Sequence, residues 1–214
     1  MSWLPVYNSW VVFTAILSFF LWNLWGILLF FAMALVSLYF LVSEVFSAES
    51  HYVGAFGLFI MSEVLIFVTL FVVTMWHEDS EIESVSDWFE LPFLGCFLLI
   101  GSSISATAYH HAGGLNNSVW LLVVTLILGS GFLLLQLWEF YDCECDIIHS
   151  VYHAGSFCTV GLHFSHVLAG VVALVVLLSL GVELVSWYYM TLMVWYWHFV
   201  DYIWLFVFLL IYVA

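Results

Sequence analysis

The sequence predicts an all-α membrane protein with about seven transmembrane helices. Three observations carry that prediction. The chain of 214 residues is 66% hydrophobic, 21% aromatic and only 7% charged, whereas soluble domains carry about 25% charged residues. Apolar stretches long enough to cross a bilayer, about 20 residues each, recur along its whole length. Near the C-terminus, an imidazole and a carboxylate are set into the aromatic run Trp195-Tyr196-Trp197-His198-Phe199-Val200-Asp201-Tyr202-Ile203-Trp204, a pattern of rings that collects near lipid headgroups.

The predicted spans, in order, are Val6 to Leu21, Leu24 to Val42, Val53 to Trp76, Leu91 to Ala108, Val119 to Phe140, Ala154 to Leu180 and Tyr189 to Val213. The first is short, and only Trp22-Asn23 separates it from the second, so the pair forms a tight hairpin or one broken span. Gly113-Gly114-Leu115-Asn116-Asn117 supplies the Gly and Asn of a turn. Two acidic loops, His77 to Glu90 and Asp142 to His149, fall between spans, and there is no internal repeat.

Lysine and arginine are absent against fifteen acidic residues, a formal charge of -15. The positive-inside rule therefore has nothing to act on. Nucleic acid is excluded as a partner for the same lack of cations. Strong nucleotide bias in a small organellar genome would account for such a composition. Loop parity over seven spans puts nine acids on one face (Glu78, Asp79, Glu81, Glu83, Asp87, Glu90, Asp142, Glu144, Asp146) and only Glu44, Glu49 and Glu183 on the other. Such a face attracts basic partners or cations. Cys96, Cys143, Cys145 and Cys158 lack the paired spacing of a zinc or disulfide framework.

Polar residues inside the spans are the candidate functional groups. Glu63 lies near the middle of the third span, where a carboxylate costs about 2.5 to 3.5 kcal/mol, so it must be protonated or paired. Gln136 and Glu139 share a helical face close to a helix end, where the expectation is solvation by water or headgroups. His163 and His166 share a face of the sixth span, and His110 and His111 close the fourth. Bis-histidine haem ligation is one reading of these imidazoles; bonding to neighbouring helices or lipid is the other. His198 and Asp201, three residues apart, can satisfy each other or one neighbouring helix. No nucleophile elbow, phosphate loop or metal motif accompanies them.

Five segments in order resemble subunit III of haem-copper cytochrome c oxidase: Leu58 to Leu65, Tyr109-His110-His111, Leu134 to Tyr141, Gly161 to Val167, and Trp195 to Tyr212. The resemblance implies a two-helix bundle (1–50) and a five-helix bundle (51–214) around a lipid-filled cleft, with no catalytic residue, metal or other cofactor of its own beyond structural phospholipids. Glu63 would be the carbodiimide-reactive cleft carboxyl, and His163, His166, His198, Asp201, Gln136, Glu139, His110 and His111 would serve lipid binding or helix packing. Haem and copper would reside in partner subunits I and II, with further accessory subunits, in the mitochondrial inner membrane or, as the lesser expectation, a bacterial plasma membrane. In that family the subunit supports proton uptake, protects against turnover inactivation, and has a proposed part in oxygen entry. A quinol oxidase subunit III and a haem-binding electron carrier are the alternatives.

This chain departs from the family in instructive places. Basic residues that anchor lipid phosphates do not exist here, so His, Trp, Ser or amide donors, or another subunit, must replace them. The basic end of the second helix becomes Leu41-Val42-Ser43-Glu44-Val45, the Gly between the two histidines becomes Phe164-Ser165, and the third-to-fourth loop is shorter. With the family's orientation, the nine-acid face lies outside, where it would add to steering of the basic donor cytochrome c.

Overall fold

The structure is a computed structural model that describes residues 3–47, 53–78, 86–112, 118–143 and 145–213. Glu49, Asp79, Glu81, Glu83, Glu144 and the Gly113–Asn117 turn lie outside the described residues, as do the side chains of Glu44 and Glu183. The described residues form seven α-helices: α1 Leu4–Phe20, α2 Leu24–Ser47, α3 Val53–Trp76, α4 Leu91–His111, α5 Val119–Asp142, α6 Val151–Leu184 and α7 Trp187–Val207, the last continued as a π-helical turn over Phe208–Val213. Six of these segments are long and apolar enough to span a membrane, and α1 is shorter. Most of the others run a few residues beyond the predicted spans. A hydropathy criterion stops at the first polar residues, while backbone hydrogen bonding carries the helix on into the interface.

Contacts divide the chain into two compact units, Met1–Tyr52 and Val53–Ala214. Within the first, α1 and α2 form a tight hairpin, which decides between the two readings of Trp22-Asn23. Trp22 takes a positive φ of 50°, a conformation that costs a bulky residue energy. Asn23 offsets this by capping α2, its Oδ1 accepting from the Trp25 amide at 3.1 Å. Close approach of the helices is permitted at Gly26, where a Cβ would meet the Ser18 hydroxyl. Tyr7 donates to the Met33 carbonyl at 3.2 Å, and Ser37 donates to the Asn8 side chain.

In the second unit α7 is the most buried span, in contact with α3, α4 and α6, while α5 packs on α4 and α6. Two other helices of this unit begin on visible signals. Pro92 sits in the first turn of α4, where a missing amide hydrogen matters least. Ser150 caps α6 by accepting from the His153 amide at 3.2 Å. Gly181, with φ of 70°, breaks α6 before α7 begins.

Two indoles organise the core. Trp197 and Trp204 are fully buried, and three glycines make room for them. A Cβ at Gly129 would lie 2.6 Å from Trp197, one at Gly170 would lie 2.8 Å from the same ring, and one at Gly95 would lie 3.1 Å from Trp204. The Trp197 ring nitrogen donates to Ser102 Oγ at 3.0 Å, tying α7 to α4. Small residues therefore let helices approach where lipid gives no hydrophobic push between them.

Candidate functional site

Glu63 on α3 meets His166 on α6, with Nε2 to Oε2 at 3.1 Å. Both side chains are largely buried, at 18% and 11% exposure respectively. His166 Nδ1 lies 2.8 Å from the Leu162 carbonyl. A carbonyl only accepts, so Nδ1 carries a hydrogen. The hydrogen between Nε2 and Glu63 must then come from a carboxylic acid or an imidazolium, and the pair holds one proton in common. Tyr196 donates to the His166 carbonyl at 3.4 Å, and Phe67 and Phe199 lie against the imidazole with ring centroids 5.4 and 6.2 Å away.

Those same two phenyl rings form part of an open apolar groove of about 670 Å³ between α3 and α7. Val64, Val68, Met75, Trp195 and Phe206 are among its walls, and His198 is its one ionisable imidazole. The groove follows from the sequence locally: Ile60, Val64, Phe67 and Phe71 recur at helical spacing, one position round from Glu63. The carboxyl thus turns to α6 while the adjoining stripe stays apolar.

The other sequence candidates separate into distinct clusters. His163, fully buried, donates Nε2–H to the Val200 carbonyl at 3.1 Å and stacks near Trp204 at 5.0 Å. His163 and His166 therefore have different partners despite their shared origin on α6. His198 does not bond to Asp201: its Nδ1 meets Ser103 Oγ at 2.6 Å and its Nε2 meets Thr107 Oγ1 at 3.1 Å, both on α4. Asp201 is buried, and its Oδ1 has no hydrogen-bond partner among the described residues. His110 Nε2 contacts Thr191 Oγ1 at 3.2 Å, and its ring lies 4.9 Å from Trp187 and 6.0 Å from the exposed His111.

Gln136 and Glu139 correct the expectation of interfacial solvation, since they are 0% and 2% exposed. Glu139 accepts from Gln136 Nε2 at 2.6 Å and from Ser86 Oγ at 2.8 Å. Nearness to a helix end does not expose a residue when a neighbouring loop folds over it, and here the residues before α4 supply Ser86. Ser86, Ser102, Ser103 and Thr107 went unnoticed in sequence because hydroxyl residues are common at helix contacts in membranes; only Ser103 and Thr107, spaced i, i+4, offered a faint signal.

Among the described residues no three His, Cys, Asp or Glu side chains come together so as to hold a metal ion. Helices of membrane-spanning length, tied by internal imidazole, carboxyl and hydroxyl contacts, define a polytopic membrane protein. The family model for cytochrome c oxidase subunit III matches residues 8–214, and the chain belongs to that family. Cytochrome c oxidase subunit 3 of Rhipicephalus sanguineus is 34% identical over 173 residues, 72% of this chain and 67% of the relative. That of Spodoptera frugiperda is 36% identical over 139 residues, 58% of this chain and 89% of the relative. For Paracentrotus lividus the match is 36% over 134 residues, 58% of this chain and 50% of the relative. The matched stretch thus spans between half and nine-tenths of these relatives.

Proposed function

We propose that this chain is a non-catalytic core subunit of cytochrome c oxidase in the mitochondrial inner membrane, stabilising a catalytic subunit whose haem and copper pass electrons from cytochrome c to oxygen. The observation that carries its part in the complex is the Glu63–His166 pair, which holds a proton at mid-membrane beside the apolar α3–α7 groove. Acyl chains of structural phospholipids fit the groove's aliphatic and aromatic walls. Because Lys and Arg are absent, headgroup phosphates would be met by neutral or protonated donors, and His110, His111 and Trp187, gathered at one end of α4 and α7, are the candidates. Subunits I and II are the expected neighbours, with the acidic loops adding to the field that draws a basic donor protein.

In the assembled oxidase, Glu63→Ala retains initial turnover and shortens the time before the enzyme inactivates. Wild-type lifetime together with unchanged bound lipid overturns this role. Copurification of a subunit II with a copper-binding Cys motif supports cytochrome c as the donor; a subunit II without one indicates quinol.

A further inference from the structure

We infer that His110 binds a phosphate group only as an imidazolium, so that an anion held where α4 ends beside the start of α7 brings one proton with it. This rests on the proposed role of His110, His111 and Trp187 toward a phosphate, and adds which nitrogen makes the contact and in what charge state. Hydrogen counting carries the argument. Thr191 Oγ1 lies 2.9 Å from the Trp187 carbonyl, and because a carbonyl only accepts, the threonine donates its one hydrogen there. Toward His110 Nε2, at 3.2 Å, Thr191 is then an acceptor, and Nε2 carries hydrogen.

A neutral imidazole has a single N–H. With that hydrogen committed to Thr191, Nδ1 of neutral His110 is an acceptor and would meet a phosphate oxygen lone pair to lone pair. A proton on Nδ1 turns this repulsion into a charge-assisted hydrogen bond and leaves the Thr191 contact in place. Nδ1 is open to such a ligand, having no hydrogen-bond partner among the described residues. His198 supplies the contrast. It meets Thr107 at 3.1 Å in the same manner, the Thr107 hydrogen going to the Ser103 carbonyl at 2.9 Å, but its Nδ1 is occupied by Ser103 Oγ at 2.6 Å.

The surroundings favour the charged form and the anion together. His110 and His111 occupy the last turn of α4, where the helix's C-terminal carbonyls attract a cation. The Trp187 ring centroid is 4.9 Å from that of His110, within the range of cation–π attraction. The apolar span of α4 ends at His111 and that of α7 begins at Trp187, so the group lies at the membrane boundary, where headgroup phosphates are met. No Lys or Arg competes for the anion. The titratable neighbours are few. On α4 they are Tyr109, which is buried, and the exposed His111, its ring 6.0 Å from that of His110. On α7 they are Tyr188 and Tyr189, with His198 deeper and bonded to α4. The first turns of α3 and α5 carry none, and at the end of α6 the Glu183 side chain lies outside the described residues.

The test is nuclear magnetic resonance of the intact oxidase, with nitrogen-labelled histidine and tryptophan, in a phosphate-free maltoside detergent to which phosphatidylglycerol or inorganic phosphate is added. Occupancy is read from the Trp187 and His111 signals, and the charge state from His110 Nδ1. Phosphate binding is expected to protonate Nδ1, to take up one proton per phosphate, and to weaken about tenfold per pH unit above the range in which the imidazole titrates. A response to the lipid alone assigns the site to headgroups and an equal response to inorganic phosphate assigns it to the free ion; either supports the inference. Thr191→Val releases the Nε2 hydrogen, so neutral His110 can carry it on Nδ1 instead, and binding should persist with its pH dependence lost. His110→Gln, whose amide can still donate to Thr191, should assemble and lose the proton uptake; should it fail to assemble, wild type and Thr191→Val carry the comparison. Phosphate bound beside a neutral His110 overturns the inference while leaving the phosphate role intact. No change at Trp187, His111 or His110 with either probe overturns both.

Discussion

Trp197 is held between two glycines, and enlarging either one should expose how tightly α5, α6 and α7 are fitted. A methyl at Gly129 would lie 2.6 Å from Trp197 Cη2 and 2.9 Å from Cζ2, while one at Gly170 would lie 2.8 Å from Cε3 and 2.9 Å from Cζ3. Carbon atoms rest about 3.5 to 4.0 Å apart, so either substitution asks the indole to retreat by roughly 1 Å. It has little freedom to do so, being fully buried and tethered to Ser102 at 3.0 Å. Overpacking of this kind costs about 1 to 3 kcal/mol, and Gly129→Ala and Gly170→Ala should each destabilise the subunit by that amount. Because each closes space the other substitution would need, the double variant should lose more than the sum. Trp197→Phe removes the outer atoms of the ring and should partly rescue Gly129→Ala, although alone it costs stability through the emptied volume and the lost Ser102 bond. Denaturant titration of the subunit in lipid nanodiscs, followed by tryptophan fluorescence, measures all five variants. If both alanine variants are as stable as the wild type, or if Trp197→Phe makes Gly129→Ala worse, the packing argument is refuted.

Other expectations follow from single contacts. Glu139→Leu strands Gln136 Nε2 in a buried site and removes an acceptor from Ser86 Oγ, and should cost about 1 to 3 kcal/mol, seen as a lower denaturation midpoint in the same assay; Glu139→Gln, which still accepts, should cost less. Tyr152→Phe removes the hydroxyl that donates to the Ile211 carbonyl at 3.0 Å in the π-helical turn and should destabilise by about 1 kcal/mol, with faster amide hydrogen exchange confined to the C-terminal turn. Glu63→Gln keeps an amide that donates to His166 Nε2, so its turnover lifetime should fall closer to wild type than that of Glu63→Ala.

How the polar residues would be paired was only partly legible. Glu63 announced itself, because an acid at the centre of an apolar span is expensive wherever the helix points. Its partner did not: His163 and His166 are equivalent by spacing, and only the packing of α3 and α7 against α6 sends one to Glu63 and the other to the Val200 carbonyl. Gln136 and Glu139 were misplaced for a related reason. Distance from a helix end is a local quantity, whereas their burial depends on groups such as Ser86, remote in sequence.

Chain composition alone determined that lipid is the solvent, that the spans are helical and that no Lys or Arg could neutralise an intramembrane acid, since hydropathy and charge are properties of the residues themselves. The aromatic run with His198 and Asp201 also marked the family. Which groups replace the missing cations was decided by tertiary structure: His166 for Glu63, and Gln136 and Ser86 for Glu139. Spacing along one helix puts side chains on a face, but hydrogen bonds across the bundle depend on the neighbouring helix's rotation and depth, and close approach at Gly95, Gly129 and Gly170 helps set both.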